Sequence, residues 1–276
     1  MVIGARIHDL VRNTQADLTY VLKDSQVRAV QLTLPKFVEG GEPIDGFSIG
    51  QLQEIKKVFD EANIGVRVLS CYINPLADNI EQEQAKFRRF VDYAVEMKVP
   101  IVGTETGTIV SDLKEFQKNH TEEVFDTLIN NLHPLVVYAK ERGILVGVES
   151  VAYFPVYDEK RFERLKKSCP ENSMCCIFDP TNLLHSGNYE KQHEVFENFL
   201  RMHARDIQIV HLKDFVYQDN WLNEVPLFEG LLDVEYLFKL LKSYNVQADM
   251  IVENAPSIQG FKLIKEKLEK IINRGI

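Results

Sequence analysis

The chain has 276 residues, of which 45% are apolar and 26% are charged. This is the composition of a globular protein that can bury a large core, and the length alone allows one large domain or two small ones. Its 32 Lys and Arg residues stand against 41 Asp and Glu residues, and the formal charge of −9 argues against broad binding to nucleic acid or anionic membranes.

The sequence argues against a membrane-spanning helix and against disulfide bonds. No apolar run approaches the roughly 20 residues that a membrane-spanning helix needs, and no basic stretch precedes an apolar one at the start. The four cysteines form no Cys-x-x-Cys pair, which argues against a zinc–thiolate site and a disulfide framework. We expect a soluble protein of the reducing cytoplasm.

Eight short apolar, β-branched runs recur along the chain, and each leads through a loop to a longer amphipathic stretch. The runs predict strands at residues 2–7, 29–34, 66–71, 100–103, 145–148, 175–178, 207–210 and 250–252. The amphipathic stretches predict helices at about 14–25, 48–63, 79–98, 120–142, 158–169, 188–205, 233–245 and 258–273. Short polar residues favour helix starts at Ser48, Asn79 and Asp233, and Gly65 and Gly143 favour helix ends.

Strands that alternate with helices predict right-handed βαβ units and a parallel sheet. Eight units in 276 residues average 276/8, or about 34 residues each, which favours a closed barrel. The competing doubly wound sheet usually carries a Gly-rich phosphate turn after its first strand, whereas here that strand runs into Ile7-His8-Asp9-Leu10. We predict an α/β fold, a single (β/α)8 TIM barrel that forms one domain over residues 1–276.

Two predicted loops are longer than a simple connection requires. They cover residues 36–47, which are rich in glycine, and residues 215–232, which contain Trp221, the only tryptophan. Both follow a predicted strand, so both should lie on the face of the barrel where active sites form.

The last four predicted strands each end in a residue that can bind a metal ion. These residues are Glu149, Asp179, His211 and Glu253, at spacings of 30, 32 and 42 residues. One such carboxylate alone is usually a loop cap or an ion-pair partner. Four in consecutive strands would meet at one rim of a barrel, where clustered carboxylates repel each other unless a cation compensates them. The set suits Mn²⁺, Mg²⁺, Co²⁺ or Zn²⁺.

The surroundings of these residues resemble the sugar phosphate isomerase/epimerase superfamily, the xylose-isomerase-like TIM barrels. The segments that carry the resemblance are Val-Glu149-Ser, Phe-Asp179-Pro-Thr-Asn182-Leu-Leu, Val-His211-Leu-Lys213-Asp214, Val-Glu253-Asn, Asn74-Pro75-Leu76 and Glu105-Thr106-Gly107. The resemblance covers nearly the whole chain.

The resemblance implies one divalent metal ion, commonly Mn²⁺, held by Glu149, Asp179, His211 and Glu253, with Mg²⁺, Co²⁺ or Zn²⁺ as alternatives. It also implies a small sugar, keto-sugar or polyol substrate, converted through proton abstraction and a metal-stabilised enediolate. Glu149 and Glu253 would exchange protons on opposite sides of the substrate. We expect an isomerase or epimerase, with dehydration of an inosose-like keto-polyol at the same site as the alternative.

The sequence departs from the ketose 3-epimerase branch of that family. A histidine often follows the metal aspartate there by three residues, but this position holds Asn182. No arginine occurs between Arg205 and Arg274, so Lys213 is the evident cation near the substrate. Lys213 could polarise a substrate oxygen or bind an anionic group, or it could pair with Asp214 or Glu253.

Four further residues are candidate substrate contacts, each with a structural alternative. Asn182 could donate to the substrate or stabilise a turn. His185 could lie on the loop or the helix after Asp179. His8, at the predicted end of the first strand, could line the pocket, and Glu105 could supply a second acid or join a network with neighbouring threonines.

Two other functions compete with a sugar-converting enzyme. An abasic-site endonuclease of the same superfamily would need extra histidines where this chain has Gln31, Thr33, Cys71, Tyr72 and Asn74, and it would need a basic surface. A non-catalytic barrel could bind only a metal ion or a sugar-like effector. We expect a small carbohydrate as the partner, with no nucleic acid or membrane, and association into a homo-oligomer stays open.

Overall fold

The computed structural model describes residues 2–11, 22, 25–38, 41, 43 and 46–274. Within them the strands, in chain order, are β1 (Ile3–Arg6), β2 (Ala29–Leu32), β3 (Gly65–Ser70), β4 (Ile101–Thr104), β5 (Leu145–Glu149), β6 (Met174–Phe178), β7 (Ile207–Leu212), β8 (Asp214–Gln218), β9 (Trp221–Val225) and β10 (Asp249–Val252). Most of the helix predicted at 14–25 lies outside the described residues.

Eight of these strands are parallel and close into a barrel in the order β1-β10-β7-β6-β5-β4-β3-β2. The closure is made by β1, where Ile3 pairs with Met250 of β10 and Ala5 pairs with Val30 of β2. The predicted (β/α)8 barrel is confirmed. The strand bounds differ from the prediction by a few residues, and one of these shifts alters the site described below.

Helices flank the barrel. They are α1 (Ile7–Leu10), α2 (Leu34–Phe37), α3 (Ile49–Glu61), α4 (Ile80–Glu96), α5 (Glu122–Glu141), α6 (Glu159–Lys167), α7 (Gln192–His203), α8 (Val234–Ser243) and α9 (Ile258–Asn273), with short 3₁₀ segments at Leu113–His120 and Tyr189–Lys191. Among the helices that the structure describes, we find none long and apolar enough to cross a membrane.

Several helix boundaries follow the capping rules that the sequence suggested. Ser48 forms a capping box with Gln51 at the start of α3, and the Asp233 side chain accepts the amide of Tyr236 in α8. Asn79 precedes α4, but its side chain makes no hydrogen bond to the backbone amides of that helix. Asn79 therefore marks the helix start by position only.

The helix ends show one confirmed prediction and one correction. Gly143 adopts a positive φ of 73° after α5, as expected for a left-handed helix end. Gly65 instead opens β3, and Asn63 takes the left-handed conformation after α3 with φ 56°. Asparagine tolerates that region better than most residues, so it can replace glycine there.

The alternation of side chains along the strands separates two apolar layers. Inside the barrel lies a small cluster of buried residues: Val68, Ile101, Cys175, Ile177, Ile209 and Ile251. The larger layer between strands and helices contains most of the aromatic residues, including Phe178 and Phe199. Adjacent Cys175 and Cys176 fall in different layers, which explains why both are buried as small apolar residues.

The predicted loop at residues 215–232 contains an antiparallel hairpin, formed by β8 and β9. Its two-residue turn is Asp219-Asn220, and both residues have positive φ (54° and 60°), as in a type I′ turn. At the base of the hairpin, Asp214 accepts the amides of four residues that follow it: Phe215, Phe228, Gly230 and Leu232. The segment is therefore an ordered element rather than an irregular loop.

Candidate metal centre and active site

The four residues predicted from the strand ends meet at the carboxyl-terminal end of the barrel. Glu149 is the last residue of β5, Asp179 follows β6, His211 is the penultimate residue of β7, and Glu253 follows β10. All four are at most 4% exposed. Three of them, Glu149, Asp179 and His211, offer ligand atoms that lie within 4.8 Å of one another.

His211 is the centre of this cluster. Its Nδ1 atom lies 3.4 Å from Glu149 Oε2, 3.6 Å from Glu253 Oε1 and 3.8 Å from Asp179 Oδ2. These separations exceed ordinary hydrogen-bond lengths, and Nδ1 has no hydrogen-bond partner among the described residues. A buried ring nitrogen thus faces three carboxylate oxygens without a bond to any of them.

The other ring nitrogen of His211 is held by a residue that the sequence prediction did not assign to the site. His211 Nε2 lies 2.5 Å from Gln31 Oε1, and the Gln31 amide nitrogen donates to the hydroxyl of Tyr72. Because the amide oxygen can only accept, Nε2 carries a proton, and Nδ1 is the ring atom that can bind an ion once its own proton is displaced. This is how outer residues commonly orient a histidine ligand.

The electrostatics of the cluster call for a cation. Burial and repulsion from Glu149 and Glu253 raise the pKa of Asp179 to about 7, although Lys213 opposes the shift. Burial lowers the pKa of His211, but Glu253, Glu149 and Asp179 outweigh burial and raise it to about 9. Without an ion, the three carboxylates around this imidazole are balanced by protons and by nearby cationic side chains such as Lys213.

A divalent ion fits this donor set. Two ligand atoms bound about 2.1 Å from one ion lie roughly 3.0–3.5 Å apart at tetrahedral or octahedral angles, close to the separations around His211. Mixed carboxylate oxygen and imidazole nitrogen ligands suit Mn²⁺, Zn²⁺ and similar ions. The orphaned Nδ1 atom and the repelling carboxylates are both satisfied by one ion between them.

Lys213 follows β7 and is buried, with 3% of its side chain exposed. Its Nζ atom lies 2.8 Å from Asp179, 2.9 Å from Glu224 and 3.2 Å from Glu253. The pairing with Glu253 was one of the alternatives that the sequence left open. The pairing with Asp214 is absent from these contacts, because Asp214 accepts backbone amides of the hairpin segment instead.

Arg6 is a second cation at the site, and the sequence prediction missed it. Its guanidinium contacts Glu253 Oε1 at 3.3 Å, Asp9 Oδ2 at 2.8 Å and Asn254 Oδ1 at 2.6 Å. Burial opposes ionisation of Glu253, but Lys213, His211 and Arg6 outweigh it and hold the pKa of Glu253 below its usual range. Glu253 is therefore a carboxylate at neutral pH.

Asn182 and Glu105 both line the pocket above the cluster. The Asn182 side chain donates to Glu149, and its backbone amide donates to Asp179 at 3.1 Å. Asn182 therefore positions two of the predicted ligands. Burial and the nearby Glu149 carboxylate raise the pKa of Glu105 to about 8, so Glu105 holds a proton at neutral pH and can donate a hydrogen bond.

The pocket over this cluster has a volume of about 300 Å³. It is lined almost entirely by polar and charged side chains: Arg6, Lys36, Tyr72, Glu105, Glu149, Asn182, Lys213, Glu224 and Glu253. Five of these were predicted, and Arg6, Lys36, Tyr72 and Glu224 were not. A pocket this small and polar suits a compact ligand rich in oxygen atoms.

The structure places His8 and His185 outside the lining of this pocket. β1 ends at Arg6, two residues earlier than His8, so His8 lies on α1 and Arg6 takes the strand-end position. His185 lines a separate cavity of about 280 Å³ together with Phe116, His120 and Tyr157. Its Nδ1 atom accepts the amide of Gly187 within a turn.

The comparison with curated proteins finds two remote relatives. Inosose dehydratase of Clostridium botulinum is 25% identical over 219 residues, which cover 69% of this chain and 71% of that protein. A structural maintenance of chromosomes protein 3 homolog of Plasmodium falciparum is 26% identical over 239 residues. That match covers 81% of this chain but only 19% of the larger protein, so the chain spans about a fifth of its length.

Solved structures with the same fold cover nearly all of the chain. A D-tagatose 3-epimerase-like protein has a TM-score of 0.77 and 17% identity, with 99% of this chain and 97% of that chain covered. The IolI protein with a bound zinc atom has a TM-score of 0.72 and 14% identity, with 99% of both chains covered. The family model of the xylose isomerase-like TIM barrel matches residues 21–273. The chain belongs to the xylose isomerase-like TIM barrel family.

Proposed function

We propose that this protein is a divalent-metal-dependent isomerase or epimerase of a small sugar, keto-sugar or polyol derivative. The observation that carries the proposal is the unpartnered Nδ1 atom of His211, which faces three carboxylate oxygens beneath a polar pocket of about 300 Å³. Membership of a family whose structural relatives include a D-tagatose 3-epimerase-like protein and a zinc-bound barrel supports it.

Glu149, Asp179, His211 and Glu253 would hold the ion, and Mn²⁺ is the ion we expect. When bound, the ion would polarise a substrate carbonyl and neutralise the charge that develops on its oxygen. Gln31 fixes the ring of His211, and Asn182 fixes the carboxylate of Glu149. The ligands are therefore oriented before an ion binds, which lowers the cost of forming the site.

The two glutamates would move the protons. Glu253 is kept ionised by Lys213 and Arg6, so it is ready to accept a proton from a carbon next to a carbonyl. Glu149 would act on the other side of the substrate, where Asn182 holds its carboxylate in place. Glu105, which holds its proton at neutral pH, would donate a hydrogen bond to a substrate oxygen.

Dehydration of an inosose-like keto-polyol is the second candidate. The favouring observation is the remote similarity to inosose dehydratase, which covers about 70% of both chains. Both reactions begin when a carboxylate removes a proton next to a carbonyl. They differ in the next step, because a dehydratase expels a hydroxyl group as water, whereas an isomerase or epimerase returns the proton.

Metal analysis and solvent exchange test the proposal together. The purified protein, Glu149→Gln and Glu253→Gln would each be assayed for bound divalent metal. Each would then be incubated in D₂O with Mn²⁺ and a panel of ketoses and inososes. The proposal predicts about one ion per chain and deuterium incorporation that requires both glutamates. Loss of water from a panel member would select the dehydratase, and absence of both metal and exchange would overturn the proposal.

A further inference from the structure

The β8–β9 hairpin carries an acidic side chain into the pocket. Glu224, on β9, places Oε1 2.9 Å from the Nζ atom of Lys213. Its Oε2 atom accepts a hydrogen bond of 3.1 Å from the side-chain amide of Asn254. Glu224 thus reaches the site from a hairpin outside the barrel, unlike the other carboxylates around Lys213.

The partners of Lys213 differ in their surroundings. Asp179 and Glu253 are almost fully buried and belong to the predicted metal-ligand set, whereas Glu224 keeps 44% of its side chain exposed. When a divalent ion engages Asp179 and Glu253, Glu224 is the remaining carboxylate that reaches Lys213 from the described parts of the chain. Glu224 therefore covers the solvent side of the Lys213 charge.

The hairpin is held in the position that allows this contact. Asp214 ties its base through backbone amides, including those of Phe228 and Gly230. At the other end, the indole of Trp221 stacks on the ring of Tyr153 at 4.7 Å with an interplanar angle of 20°. The Asp214 hydrogen bonds at one end and the Trp221–Tyr153 stacking at the other restrain the hairpin. These restraints hold the Glu224 carboxylate beside Lys213.

We propose that Glu224 is a specificity residue that makes this pocket select uncharged sugars or polyols over phosphorylated or carboxylated ones. It does so by occupying the side of Lys213 that an anionic substrate group would contact. The inference rests on the proposed function and narrows its substrate class. Hydroxyl groups can donate to Glu224 and accept from Lys213, whereas a phosphate or carboxylate would be repelled by the Glu224 carboxylate.

The other cations of the pocket do not replace Lys213 in this role. The Arg6 guanidinium is engaged by Asp9, Glu253 and Asn254. Lys36 is exposed at the rim, 5.9 Å from the centre of the Tyr72 ring, and would attract anions whether or not Glu224 is charged. The informative quantity is therefore the change in anion affinity between variants rather than the absolute affinity.

Equilibrium binding to Glu224→Gln tests the inference. Titration calorimetry on the metal-loaded protein would use inorganic phosphate, D-fructose 6-phosphate and D-fructose as probes. We expect phosphate and the sugar phosphate to bind about tenfold more tightly to Glu224→Gln than to the original protein, because a like charge has been removed. The affinity for D-fructose should change much less.

The matched control is Glu229→Gln. Glu229 is exposed on the same segment and is not among the residues that line the pocket, so this variant removes the same charge from the hairpin region alone. An equal gain in phosphate affinity in Glu229→Gln, or no gain in Glu224→Gln, would overturn the inference. An intermediate gain confined to Glu224→Gln would support it.

The phosphate measurement separates this inference from the proposed function. The change in phosphate affinity between variants reports the effect of the Glu224 charge beside Lys213 and requires no turnover. If no sugar is converted but Glu224→Gln still gains phosphate affinity, the proposed function fails and the role of Glu224 stands. If sugars are converted but phosphate affinity is unchanged in Glu224→Gln, the role of Glu224 fails and the proposed function stands.

Discussion

The two halves of the barrel contribute different chemistry to one pocket. The strand ends of the second half supply the predicted metal ligands, which are Glu149, Asp179, His211 and Glu253. The first half supplies Arg6, Gln31, Tyr72 and Glu105 near the ends of its strands. The second half thus supplies the ligand set, and the first half adds Gln31, which orients His211, and Arg6, which contacts Glu253.

The dependence of one half on the other is visible in individual contacts. Gln31 from β2 fixes His211 from β7, and Arg6 from β1 contacts Glu253 beyond β10. Such contacts cross between strands that are far apart in sequence. The site therefore consists of the metal ligands together with residues from the other half of the barrel that contact them.

The largest expected effect comes from breaking the ligand cluster itself. Asp179→Asn should abolish stoichiometric metal binding and reduce any metal-dependent proton exchange by at least about a thousandfold, because a charged ligand is lost. The measurements are metal analysis and D₂O exchange on the folded variant. His193→Asn, which alters an exposed histidine paired with Asp233, serves as the control. Retained metal in Asp179→Asn would contradict the assignment.

Metal affinity should also rise with pH. His211 has its pKa raised to about 9, so in the metal-free protein it carries a proton on Nδ1 at neutral pH, which an ion must displace. Each proton released strengthens binding by about tenfold per pH unit below that pKa, and Asp179 adds to the slope below about pH 7. Chelator competition with Mn²⁺ from pH 6 to 9 measures this slope, and pH-independent affinity would contradict it.

A substitution in the first half of the barrel should weaken metal binding without removing a metal ligand. Gln31→Leu removes the acceptor of the His211 Nε2 proton and should lower metal affinity about 10–100-fold. Tyr72→Phe removes the other hydrogen bond of Gln31 and should leave metal affinity nearly unchanged. Unchanged metal affinity in Gln31→Leu would contradict a role of Gln31 in orienting His211.

The smallest effect should come from a substitution in the first half of the barrel that lies away from the pocket and changes only the stability of the fold. Ser48→Ala removes the capping box of α3 and should lower the free energy of unfolding by about 1 kcal/mol. Thermal denaturation would show the change, while metal affinity should stay the same. A parallel loss of metal binding would mean that α3 influences the site, which the contacts of Ser48 do not predict.

The predictable part of the site had a regular signal. Each of four residues ends an apolar run, and successive members are about one βα unit apart, so their convergence follows from the barrel alone: Glu149, Asp179, His211 and Glu253. The first-half residues lack this regularity, since they differ in chemical type. Arg6 was missed because the predicted strand extended to residue 7, which assigned the strand-end position to His8 rather than to Arg6.

Glu224 could not be found from strand spacing. It reaches the pocket through the β8–β9 hairpin, whose existence depends on the Asp219-Asn220 turn and on the amides bound by Asp214. The Asp-Asn pair was a local signal, because both residues tolerate positive φ in a two-residue hairpin turn. The contact with Lys213, however, depends on tertiary packing that no local pattern contains.

The most direct test of the account is a crystal structure of the protein with Mn²⁺, using anomalous scattering to locate the ion. The account predicts one ion within about 2.0–2.3 Å of His211 Nδ1 and of carboxylate oxygens of Glu149 and Asp179. The Nε2 atom of His211 should remain bonded to Gln31. An ion bound elsewhere, or an empty cluster at saturating Mn²⁺, would contradict the account.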